Sequence, residues 1–107
     1  MIEATFYVSP VPTKVEIKGH AFYADRKNDS LCAAVSAVLQ HAIIAIENFS
    51  ESLMDFRIED GYGIIKVKDP DNAAIQELET LRIFLENLAK EYSQLKVEVR
   101  NNEFQKR

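Results

Sequence analysis

A period of two opens the chain: Ile2, Ala4, Phe6 and Val8 are separated by Glu3, Thr5 and Tyr7, the signature of a strand with one buried face. Ser9-Pro10-Val11-Pro12 interrupts it, because two prolines without amide protons suit a turn better than a ladder. Val15 and Ile17 then alternate with Lys14, Glu16 and Lys18, predicting a second strand antiparallel to the first. Gly19 ends that strand and His20 begins a loop. Beyond it the spacing changes to that of a helix, with Leu31, Val35, Val38, Ala42, Ile46 and Phe49 on one stripe and Asp29 or Ser30 placed to cap it. Ile43 and Ile44 fall outside the stripe, and Ala33 and Ala37 leave its flanks smooth. A second helix or a partner subunit must therefore cover this one on another side.

From residue 53 the period returns to two. Leu53, Asp55, Arg57 and Glu59 alternate with Met54, Phe56 and Ile58, Asp60-Gly61-Tyr62-Gly63 supplies turn residues, and a partner strand follows over 64–68, predicting a β-hairpin. Asp69-Pro70-Asp71 opens a long helix with Ala74, Leu78, Leu81, Leu85, Leu88 and Tyr92 on one face, widened by Ile75 and Phe84. Leu95, Val97 and Val99 make a last short strand. The order ββαββαβ with short connections predicts an α+β domain with two helices and a mostly antiparallel sheet.

With 107 residues the chain has room for one hydrophobic core, and a single domain over 1–107 is expected. Apolar residues make up 47% and charged residues 28%, and without a low-complexity tract only the last few residues are expected to be disordered. The net charge of −4 argues against a dedicated nucleic-acid binder. Arg26-Lys27 and Lys106-Arg107 read as solvated pairs, although a positive loop could recruit an acidic or RNA-bound partner. The N-terminus lacks the apolar core of a secretory signal, and no stretch reaches the roughly eighteen apolar residues of a membrane span. A lone cysteine cannot form an internal disulfide, so a cytoplasmic protein with no membrane contact is expected.

That cysteine, Cys32, is the chain's one obvious place for chemistry. It is expected in the first turn of the first helix, twelve residues after His20, and a helix N-terminus and an imidazolium both stabilise a thiolate. The plainer alternative is a small buried hydrophobe in an Ala/Val-rich helix. His41 is excluded as its partner: nine residues on, it falls on the opposite side of the helix and about 13 Å along the axis. Ser36, four residues after Cys32, shares its face, with Gln40 a further turn away. Ser36 could bond near the thiol, line a cleft, or have no role. Asp29 could cap the helix or orient His20, and Asp25 competes for the second task. One Cys and two His at these spacings do not make a metal site, no resolving cysteine supports redox chemistry, and three glycines leave no phosphate loop. No cofactor is expected.

Gly19-His20-Ala21, the step from His20 to Cys32, Asp29 three residues before the cysteine, and Cys32-Ala33-Ala34-Val35-Ser36-Ala37 together resemble the ribosomal-processing cysteine proteases, the Prp family. The element order is also similar over nearly the whole chain. The resemblance implies an endopeptidase that removes an N-terminal extension from large-subunit ribosomal protein number twenty-seven, a ribosomal protein precursor, thereby supporting ribosome assembly, and it implies a homodimer. Carried over by position, Cys32 is the nucleophile, His20 the general base and then acid, Ser36 a supporting residue, and Asp29 the match of a family aspartate. Where family members commonly place glycine, residues 22–28 contain none, and Ser30-Leu31 replaces an aliphatic pair.

The mechanism expected on this basis is attack of the Cys32 thiolate on a scissile carbonyl, with backbone amides near Cys32 holding the oxyanion. Loop 21–28 would cover the cleft, with Phe22 and Tyr23 touching apolar substrate side chains. The rival is a non-catalytic ribosome-associated binding or assembly factor with Cys32 in its core. A small structural dimer with no site is a third reading.

Overall fold

Alternating apolar residues need a layer to bury them, and here both helices supply it from one side of a sheet. A computed structural model describes residues 1–19 and 26–101, with the helical backbone alone for 26–29. The elements are β1 (Ile2–Val8), β2 (Pro12–Gly19), α1 (Arg26–Phe49), β3 (Leu53–Glu59), β4 (Tyr62–Lys68), α2 (Asn72–Ala89) and β5 (Leu95–Asn101). The strands form one sheet in the order β3-β4-β2-β1-β5. β1–β2, β2–β4 and β3–β4 pair antiparallel, and β1–β5 pairs parallel. This is the α+β arrangement with a mostly antiparallel sheet that the period changes predict. The parallel pair arises because α2 carries the chain from β4 past β2 and β1 to the far edge.

Register explains the core. Phe6 stands opposite Val15, and Val15 opposite Ile65, so one row of side chains crosses three strands on the same face. Leu31, Val35, Leu39, Ala42, Ile43 and Ile46 of α1 meet that face together with Ala74, Leu78, Leu81 and Leu85 of α2. α2 packs along α1 and so covers one of its flanks, as the apolar positions outside the first stripe require.

Asp71 joins the two halves. Its Oδ1 accepts from Ala74 N at 3.0 Å, capping α2, and from Ser50 Oγ at 2.7 Å, while its Oδ2 accepts from Glu51 N at 2.9 Å. These donors hold the carboxyl down at about 2, below its ordinary 3.8, because each bond favours the ionised form.

Four local expectations are corrected. α1 starts at Arg26, so neither Asp29 nor Ser30 caps it; both are helical. Phe49 ends that helix exposed, while Leu39 and Ile43 take places in the core: at 3.6 residues per turn the stripe drifts round a helix of 24 residues. α2 stops at Ala89, capped by Lys90, and Tyr92 packs on the core from the turn that follows. Finally, Ser30–Phe49 is long and apolar enough by length and composition to cross a membrane. Here its apolar stripe is spent on the sheet and α2.

Candidate active site

β2 ends beside the β3–β4 turn because Gly19 donates its N–H to the Gly61 carbonyl at 2.9 Å. Against these two backbone segments lies the N-terminal half of α1, and the three enclose a cleft of about 460 Å³. Its apolar wall is Ile2, Ile17, Val35, Leu39 and Ile58, while Glu59, Asp60 and Tyr62 bring polar atoms to its rim. Leu39 approaches Gly63 so closely that a Cβ there would lie 2.5 Å from its Cδ2, so a glycine in β4 lets the helix lie low over the cleft floor.

Cys32 opens into this cleft from α1. It is half-buried and packs against the core, combining the buried-hydrophobe environment with access to a concave surface. Ser36, one turn further along the same helix face, also lines the cleft. It is exposed, and its Oγ accepts from Gln40 Nε2 at 3.0 Å. The i, i+4, i+8 spacing thus places three polar side chains in a row leading from the thiol.

The position of Cys32 within the helix differs from expectation. With α1 beginning at Arg26, the cysteine lies beyond the first turn, where the macrodipole acts most strongly. Its backbone N–H also falls past the four amides that a helix leaves unpaired. The expected support from a helix mouth and the expected oxyanion donors beside Cys32 are therefore both lost to the longer helix.

His41, set aside as a partner for Cys32, is exposed, with Nδ1 3.6 Å from Glu77 Oε2 of α2. His20, Asp25, Phe22 and Tyr23 lie outside the described residues, as does the side chain of Asp29, whose backbone is helical. Among the described residues no group of three or more His, Cys, Asp and Glu gathers as metal ligands would.

The far wall of the cleft is what sequence reasoning missed. Residues 60–63 read as a turn and nothing more, because their closeness to Cys32 depends on β4, the second strand after α1, inserting beside β2. Tyr62 is fixed there by donating its hydroxyl to Glu16 Oε2 at 2.6 Å. The neighbouring carboxylate pushes the phenol above its ordinary 10.0, since a phenolate would lose that bond and face a like charge. The Arg57 guanidinium lies over the ring, 5.3 Å from its centroid.

Residues 1–97 match the family model of the cysteine protease Prp. No curated protein sequence matches the chain. Among solved structures, the chain is similar to the essential ribosomal processing protease Prp of S. aureus with a covalently linked product peptide: 27% identity, TM-score 0.83, 94% of this chain and 100% of that one. The same protease with a substrate peptide gives 26% identity and a TM-score of 0.80, over 94% of this chain and 99% of the other. SMU.848 of Streptococcus mutans shares the fold, with a TM-score of 0.79 at 24% identity over 94% and 95% of the two chains.

Proposed function

The chain belongs to the Prp family of ribosomal-processing cysteine proteases, and on that premise we propose that it removes the N-terminal extension of large-subunit ribosomal protein twenty-seven, with Cys32 as nucleophile and His20 as general base and acid. The observation that carries this reading is Cys32 itself, a thiol on the wall of a cleft large enough for an extended peptide. His20 takes the proton from Sγ, and the sulfur attacks the scissile carbonyl carbon. Collapse of the tetrahedral intermediate breaks the C–N bond as His20 returns the proton to the leaving amine. Water, deprotonated by His20, then cleaves the thioester.

Because the amide of Cys32 is committed to the helix, the oxyanion needs another donor. Ser36 fits: it lines the cleft one turn from Cys32, and accepting from Gln40 at Oγ still leaves it an O–H with which to donate to the oxyanion. Asp29 keeps a supporting role, acting on His20 rather than as a cap, and Phe22 and Tyr23 contact apolar side chains of the extension. A homodimer belongs to the same reading. It is supported by Ile44 and Phe49 of α1 and Phe56 of the edge strand β3, which are 59%, 80% and 47% exposed, apolar side chains that a partner copy would cover. The net charge of −4 supports a peptide rather than a nucleic acid as the direct partner, and a lone thiol nucleophile suits the reducing cytoplasm.

The thioester is the species to trap. Denaturing mass spectrometry of the protein mixed with a peptide spanning the extension junction should find the N-terminal fragment attached to Cys32. Cleavage that proceeds with no adduct at any time point, and continues in Cys32→Ser, contradicts the proposal.

A further inference from the structure

Gly19 is the last residue of β2 and directly precedes His20. Its φ is +103°, in a region that L side chains rarely enter. A Cβ there would collide with the carbonyl oxygen of Met1 and lie 3.3 Å from that carbonyl carbon and 3.6 Å from Ile2 Cα. These obstacles cannot easily move: Ile2 pairs with Gly19 across the sheet and with Leu95 on its other side, and its N–H is held by the Gln94 carbonyl. On the opposite side, the Gly19 N–H is fixed to Gly61. The residue is thus clamped between β1 and the β3–β4 turn, and it lines the same cleft as Cys32.

We propose that Gly19 is a positioning residue for the reaction, its clamped left-handed backbone setting the direction in which the chain leaves β2 into His20. This inference rests on His20 being the base for Cys32. Proton transfer requires the two groups within hydrogen-bond reach, and a displacement of roughly 1 Å costs about 100-fold in rate. Any L side chain at residue 19 must either rotate this backbone or push β1 aside, and both re-aim the next residue.

The test separates handedness from bulk. Segments 1–31 and 32–107 can be joined at Cys32 by native chemical ligation, which allows D-alanine at position 19 beside the ordinary Gly19→Ala. A D-residue accepts positive φ and carries its methyl on the other side of Cα. Gly19→Ala should lower kcat for the junction peptide about 100-fold while KM changes little, and D-alanine should restore kcat and the wild-type kcat/KM pH profile. Wild-type kcat in Gly19→Ala overturns the inference. Should Gly19→Ala fail to fold, the D-alanine protein decides alone: a folded D-alanine protein with a displaced pH profile overturns it, and an unchanged profile supports it. His20→Ala tells the two readings apart. If it still cleaves, the base assignment falls and the inference with it; if it is inactive while Gly19→Ala is not, only the role of Gly19 falls.

Discussion

Cys32 is half-buried against the core and open to a cleft. Ser36 lines the same cleft one turn further along the helix, and in the proposed mechanism it is the oxyanion donor. Ser36→Ala should lower kcat for the junction peptide about 100-fold, the usual loss of one oxyanion donor, with KM changed little. Steady-state kinetics checks this, and an unaltered kcat would remove Ser36 from the chemistry. The spacing of Cys32 and Ser36 was legible because a helix maps sequence distance onto one face. The environment of Cys32 was not, because it depends on residues 59–63 folding back from the other side of α1.

At the scale of elements, α1 and its connections govern the site. Leu39 is buried between the sheet and the cleft, so Leu39→Ala should destabilise the protein by about 2–5 kcal/mol and deepen the cleft floor. A urea titration measures the first effect and a raised KM the second. Asp71 ties the end of α1 to the start of α2. Its carboxyl lies lower in the folded chain, about 2 against 3.8, so its contribution is complete above 3.8 and fades as the pH falls towards 2. The Tm gap between wild type and Asp71→Asn should follow that course, widest above pH 3.8, much reduced near pH 2 and closing below it. A gap independent of pH would mean that the charge does nothing there. Asp71 as opener of α2 was readable from Asp69-Pro70-Asp71, whereas the true start of α1 was not. Asp29 and Ser30 are good caps that the chain passes over, since the polar run from Arg26 adds another turn before the stripe begins.

For the molecule as a whole, the two periods settled element type and order, while strand neighbours were beyond them. Nothing in the alternation of β4 says that it lies between β2 and β3, yet that insertion builds the cleft and leaves β3 as an edge. Edge strands with exposed apolar residues invite a partner, and sedimentation at micromolar concentration should find a dimer, with Phe56→Lys shifting it towards monomer. A wild-type monomer under those conditions would count against the homodimer. The central claim is proteolysis by Cys32, and the most direct measurement is the intact mass of full-length ribosomal protein twenty-seven, carrying its extension, after incubation with this protein. The account predicts loss of an N-terminal peptide with wild type and none with a folded Cys32→Ser; equal processing by the two, or none by either, would contradict it.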